Sequence, residues 1–191
     1  MKITALEIEG LLLIEPNHIE DARGYFSETF RLDRFQEAAG PITFVQDNQS
    51  FSARRGTIRG LHYQKPPYAQ GKLIRVTRGA IIDVAVDIRA GSPSYGLHVA
   101  LELSAENGHQ LWIPEGFLHG FCTLTDACHV LYKVTSYYSR DHDAGVRWND
   151  PRLAIAWPIA EAEAQLSDKD RNAPLLEAAG NAFTYSGLQP H

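Results

Sequence analysis

Through the middle of the chain, apolar and polar residues alternate with a period of two, the pattern of a β-strand whose side chains point to opposite faces in turn. In IIDVAVDIR, Ile82, Val84, Val86 and Ile88 share one face while Asp83, Asp87 and Arg89 share the other, which predicts a half-buried strand. LHVALELS groups Leu97, Val99, Leu101 and Leu103. CHVLYKVTSYY, from Cys128 to Tyr138, sets Val130, Tyr132 and Val134 against Leu131, Lys133 and Thr135. Turn signals separate such runs, at Arg78-Gly79, Ala90-Gly91-Ser92-Pro93, Glu106-Asn107-Gly108 and Pro114-Glu115-Gly116. Many short strands at this spacing predict an all-β antiparallel sandwich or barrel rather than alternating βαβ units. Helix is expected only over 33–39, closed by Gly40, and over 173–179, closed by Gly180. Pro158 and the polar run after it predict that the sheet ends there and a C-terminal tail packs back on it.

Composition narrows this further. With 191 residues, 44% hydrophobic and 21% charged, the chain has the make-up of a folded soluble protein, and a single domain spanning residues 1–191 is expected. The net charge of -5 leaves no basic excess for nucleic acid. No apolar run approaches the ~20 residues that span a bilayer, and acidic residues interrupt the opening MKITALEIEG. The expected location is therefore cytoplasmic, with neither nucleic acid nor membrane as partner. Cys122 and Cys128 lack C-x-x-C spacing and read as reduced core thiols.

The histidines hold the chemistry. GHQLWIPEGFLH, Gly108 to His119, resembles the second motif of the cupins, G-x5-P-x-G-x2-H, and a cupin-type jelly roll is one way to close such a sheet. Metal-binding cupins add an earlier H-x-H and a carboxylate, because a transition metal needs three or more converging donors. Here the earlier stretch reads His62-Tyr63-Gln64 and continues Lys65-Pro66-Pro67-Tyr68, so no metal site is expected. For an isolated histidine, a core ring satisfied by backbone is the ordinary reading. At His62 that reading weakens, because Arg59 and Lys72 flank it, and cations gathered in an interior are costly unless they meet an anion.

The runs FVQDNQS (Phe44 to Ser50), RGLHYQKPPYAQGKLIRVTRGAIIDVAVDIRAGSPSYG (Arg59 to Gly96), LSAENGHQLWIPEGFLHGF (Leu103 to Phe121), YKVTSYYS (Tyr132 to Ser139), GVRWNDP (Gly145 to Pro151) and LSDKD (Leu166 to Asp170) resemble those of dTDP-4-dehydrorhamnose 3,5-epimerases, in order and over nearly the whole chain. The resemblance implies a cofactor-free cupin jelly roll with a few short helices, a homodimer, and a dTDP-4-keto-6-deoxy sugar as substrate, without metal or nicotinamide. A single-carbon epimerase of another such sugar is the neighbouring reading, and a metal-dependent cupin enzyme or a non-catalytic sugar-nucleotide binder the more distant ones.

By the same resemblance His62 is the base and Asp170 its partner, with Asp168 two residues away as the competing choice. Tyr132 is the proton donor and Lys72 the cation near the sugar C4 oxygen. Arg23, Glu28, Gln46, Asn48, Arg59, His119, Tyr138, Asp143 and Lys169 match substrate contacts: Arg23 with the diphosphate, Tyr138 as the aromatic under the thymine, Arg59 and His119 at the sugar. Asp143 stands where the family usually has glutamate. Phe26, Phe30 and Phe44 read as core.

Overall fold

A computed structural model describes residues 1–187. The chain opens with β1 (Lys2–Ala5), β2 (Leu12–Glu15), the hairpin β3 (Ile19–Asp21) and β4 (Gly24–Phe26), and helix α1 (Leu32–Ala39). There follow β5 (Gln46–Ser52), β6 (Ile58–Gln64), β7 (Lys72–Arg78), β8 (Ala80–Asp87), β9 (Arg89–Ala90), β10 (His98–Ser104), β11 (Gln110–Ile113), β12 (Phe117–Thr123), β13 (Cys128–Val134) and β14 (Asp143–Gly145). The C-terminal part holds a 3-10 turn (Glu161–Glu163), two single-turn α-helices, α2 (Asp168–Arg171) and α3 (Leu176–Ala179), and β15 (Phe183–Thr184), which pairs with β9.

Two antiparallel sheets, β1-β2-β11-β7-β13-β5 and β10-β8-β12-β6-β14, make the jelly-roll sandwich that the alternation predicts. Each inward-facing row changes character along its strand. In β7 the row runs Val76, Ile74, Lys72, and in β13 it runs Cys128, Val130, Tyr132. One end of the interior is therefore a dry core of Ile74, Val76, Ile81, Leu111, Ile113, Phe117 and Val130, while the other is polar. Strand periodicity thus aims functional side chains and packing side chains by the same rule.

Both outer faces are covered, which corrects the half-buried reading of β8. Val84 and Val86 pack outward against Leu153, Leu176 and Phe183 of the C-terminal tail. The polar side of the strand, with Asp83 and Asp87, points inward and is fully buried. Alternation identified two faces, but once a tail covers the apolar one, the polar face is left for the interior. On the other sheet, α1 seats Phe35 among Leu12, Ile14, Leu73 and Trp112, with Phe30 and Phe44 beside it. Phe26, read as core, is instead 69% exposed on the β3–β4 hairpin.

Two elements are shorter than predicted. The run to Tyr138 leaves the sheet after Val134, because the Gln70 and Gln64 side chains donate to the Ser136 and Tyr137 carbonyls in place of a neighbouring strand. The helix expected over 173–179 is reduced to α3, since Pro174 holds the preceding backbone extended. Gly40 and Gly180 close α1 and α3 at positive φ, as expected.

The β6–β12 pairing contains the irregularity that builds the site. His62 pairs with His119 and Arg59 with Phe121, so three steps on β6 match two on β12. Without that bulge Arg59 and His62 would point to opposite faces; with it both line the same open cavity, Arg59 from its exposed edge. Gly60 permits it, at φ 125°, where an added Cβ would lie 2.6 Å from the Gly120 Cα and 2.7 Å from the His119 carbonyl oxygen. Gly60→Ala is expected to cost about 2 kcal/mol or more of stability through overpacking and backbone strain, measured by denaturant unfolding. An unchanged midpoint would show that the strands separate freely at this point.

Candidate active site

The polar end of the interior opens as a cavity of about 450 Å³ lined by Arg59, His62, Lys72, His119, Tyr132 and Asp170, with Ser50 and Ser167 at its margin. A second cavity of about 290 Å³ shares His62, Lys72 and Tyr132 and extends past Gln46, Asn48, Tyr138, Asp143 and Lys169. The shared residues place the proposed base, acid and cation where the two spaces meet. The sequence residues thus divide into a sugar-sized end and an end of different make-up.

His62 Nε2 lies 2.5 Å from Asp170 Oδ1. This settles the pairing in favour of Asp170 over Asp168. Ser167 caps α2 by accepting a hydrogen bond from the Asp170 amide at 3.1 Å, so a one-turn helix at the end of LSDKD presents the carboxylate to β6. Burial alone would raise the Asp170 carboxyl; the His62 hydrogen bond and charge, with help from Ser167 and the Gly60 amide, more than offset it and hold the group below its usual value. The side chain of Asp170 is 5% exposed and that of His62 30%. An ionised carboxylate on Nε2 fixes the proton there, which leaves Nδ1 as the free lone pair and stabilises any imidazolium that forms.

Lys72 is buried at the end of β7, and burial pushes its amine down to about 8, with Asp143 and Asp83 pulling the other way and Lys169 adding to the drop. Among the described residues its nitrogen reaches only the His62 carbonyl oxygen, at 3.5 Å. Burial raises the Tyr132 phenol; Arg59 draws it down and Asp143 up, and the group stays protonated in the neutral range, as a donor must. Arg59 is held by Ser52 Oγ at 3.2 Å and the Phe51 carbonyl at 2.9 Å.

At the other end Asp143 Oδ2 accepts from Lys169 Nζ at 2.5 Å and from the Tyr138 hydroxyl at 3.2 Å. The Tyr138 amide donates to Gln46 Oε1 at 3.2 Å, and Gln46 in turn donates to Asn48. The shorter carboxylate at 143 therefore still joins the cluster. Arg23 and Glu28 do not. Arg23 is 89% exposed on the β3–β4 hairpin, paired with Asp21 at 2.6 Å, and Glu28 is exposed just beyond it.

Asp83 is the interior residue that sequence reasoning passed over. It accepts from His119 Nε2 at 2.7 Å, is fully buried, and its Oδ2 has no partner among the described residues. Its alternation with Ile82 and Val84 marked it as facing away from them, and that was the available signal. Among the described residues no group of three or more His, Cys, Asp or Glu is arranged to hold a metal ion.

The sequence model of the dTDP-4-dehydrorhamnose 3,5-epimerase family matches residues 5–178. The chain belongs to this family. It is 50% identical over 185 residues to the dTDP-4-dehydrorhamnose 3,5-epimerase of Sinorhizobium fredii, covering 97% of this chain and 94% of that one. The crystal structure of dTDP-6-deoxy-D-glucose-3,5-epimerase from Legionella pneumophila, in complex with dTDP-4-keto-L-rhamnose, superposes with a TM-score of 0.92 at 44% identity and covers 97% of this chain and 99% of that one. A dTDP-4-dehydrorhamnose 3-epimerase of Streptomyces niveus is 38% identical over 191 residues, covering all of this chain and 89% of that protein. As a member of the dTDP-4-dehydrorhamnose 3,5-epimerase family the chain is a carbohydrate isomerase with the cupin-like jelly roll of its relatives.

Proposed function

We propose that the protein inverts C3 and C5 of dTDP-4-dehydro-6-deoxy-D-glucose to give dTDP-4-dehydro-L-rhamnose, a step toward dTDP-L-rhamnose. The observation that supports this most strongly is His62, anchored on buried Asp170 and lining one cavity with Lys72 and Tyr132. The C4 ketone acidifies the hydrogens on C3 and C5. His62 takes the proton from one carbon, the C–H electrons move into an enolate, and the Lys72 ammonium stabilises the charge gathering on the C4 oxygen. Tyr132 returns a proton to the opposite face, which inverts the carbon. The imidazolium and phenolate left behind regain their starting charge by proton exchange with solvent, and the second carbon follows. Each step is a proton transfer, so we write the reaction with no cofactor.

In this reading Arg59 and His119 hold the sugar, and Gln46, Asn48, Tyr138, Asp143 and Lys169 hold the nucleotide end, with Tyr138 stacking on the base. NMR of the product formed in D₂O tests the reaction: deuterium at both C3 and C5 is expected. Deuterium at C3 alone would favour the single-carbon reading, to which the similarity to the Streptomyces niveus relative lends support.

We further propose a homodimer. Ile19, Tyr25 and Phe26 are 66%, 59% and 69% exposed on one hairpin, an apolar surface that a second copy would cover. The same hairpin holds Arg23, and with Glu28 just beyond it we assign both to substrate binding across that interface. Light scattering should give twice the 21.3 kDa chain mass, and Phe26→Asp should return it to one. A monomer in both would remove the proposed role of Arg23 and Glu28. The proposed location is the cytoplasm, in keeping with two buried free thiols.

A further inference from the structure

We propose that Asp83 is a positioning and charge-setting residue for the epimerase site: it fixes the His119 ring so that Nδ1 faces the sugar, and it is an internal counter-charge, beside Asp143, that helps keep Lys72 an ammonium ion. This rests on the reading of the cavity as the sugar site, and it adds a residue outside the cavity wall that acts through two residues within it.

Three carboxylates surround the polar end of the interior. Asp170 is bonded to His62, and Asp143 to the ammonium of Lys169. Asp83 and Asp170 each bond to a histidine, but of the three only Asp83 has a buried oxygen with no donor at all among the described residues. A negative charge at such a buried, half-bonded carboxylate is costly, and a nearby cation lowers that cost in a medium that screens poorly. Lys72 is the buried cation without an ion-pair partner: no carboxylate oxygen lies within 4 Å of its nitrogen among the described residues, and its one hydrogen bond is the long one to the His62 carbonyl. Asp83 and Lys72 stand on opposite sheets of the sandwich, β8 of one and β7 of the other, close enough for Asp83 to favour the ammonium form.

The other charged and titratable groups around Lys72 do not serve this purpose. His62 and Arg59 on β6, His119 on β12 and Tyr132 on β13 carry positive or no charge in the resting site, and Lys169 on α2 is repulsive. Asp143 on β14 attracts Lys72 more strongly than Asp83 does, but it is also bonded to Lys169, whose ammonium opposes part of that attraction. Asp170 is committed to its own histidine. His119, meanwhile, is pushed below its usual value by burial, against the pull of Asp83, so it stays neutral near pH 7. A neutral ring that donates from Nε2 to Asp83 presents Nδ1 as an acceptor, and Nδ1 has no partner among the described residues.

The test is a titration of free protein labelled with ¹³C at the lysine ε carbons, with Lys72 assigned through Lys72→Arg. In the unaltered protein Lys72 should titrate near 8. In Asp83→Asn, which keeps the shape and an acceptor for His119, the midpoint should fall by about one unit. The alkaline limb of kcat/KM should move with it, so that activity drops about fourfold more at pH 8.5 than at pH 7. A purely structural role would lower activity equally at every pH, and an unmoved Lys72 midpoint would overturn the proposal. Should Asp83→Asn fail to fold, the ¹⁵N shifts of His119 in the unaltered protein decide the first half: a neutral ring protonated on Nε2 is expected, and an imidazolium or an Nδ1-protonated ring at pH 7 refutes it. No substrate enters either titration, so a failure here is separable from a failure of the epimerase reading.

Discussion

His62→Ala should lower kcat by ~10³-fold or more while dTDP binds as before, because a positioned base contributes ~10²–10⁴ and this one acts with a dedicated partner. The basis is geometric. His62 stands where the sugar-sized cavity meets the second cavity, its Nε2 committed to Asp170, which leaves one lone pair directed elsewhere. None of the residues assigned to the nucleotide end is touched by the change, so calorimetric titration with dTDP should give an affinity within a few fold of the unaltered protein. Asp170→Asn should share most of the loss, since an amide can hold the ring but no longer stabilises the imidazolium. A His62→Ala enzyme retaining a tenth of normal turnover would end the assignment of His62 as base.

Tyr132→Phe should separate the two halves of the reaction. Burial holds the phenol protonated, and removing its oxygen leaves abstraction by His62 and stabilisation by Lys72 intact. Net inversion should fall ~10²–10³-fold, while exchange of the C3 hydrogen with solvent, which needs only His62 to remove and return a proton on one face, should fall far less. The comparison is made on one sample by following deuterium entry and product formation together. Equal loss of both rates would show that Tyr132 shapes the site and donates no proton.

How far the sequence foretold this depends on the element. The sandwich was legible because alternation is a local signal, and β8, β10 and β13 announce themselves within eight residues each. Which face of β8 is inside was not legible, because it depends on a tail from residues 153–183 folding over Val84 and Val86, a contact far away along the chain. The bulge that brings Arg59 and His62 to one side likewise leaves only a glycine at position 60 as its trace. Residues at the site were named through family resemblance, and the structure gathers most of them: His62, Lys72, Arg59, His119, Tyr132 and Asp170 around one cavity, and Gln46, Asn48, Tyr138, Asp143 and Lys169 around the next. Arg23 and Glu28 stay apart, on or beside a hairpin whose exposed apolar side chains call for a second copy. Asp83 escaped notice because an aspartate on the polar side of an alternating strand reads as solvent-facing until both sheets are covered.

The most direct test of the central claim is solvent exchange in D₂O with chelator-dialysed protein, comparing unaltered enzyme and His62→Ala with the 4-keto sugar nucleotide bound. The account predicts deuterium at C3 and C5 with the unaltered enzyme and at neither carbon with the variant. Deuterium entering at either carbon of the variant at near the normal rate would contradict it.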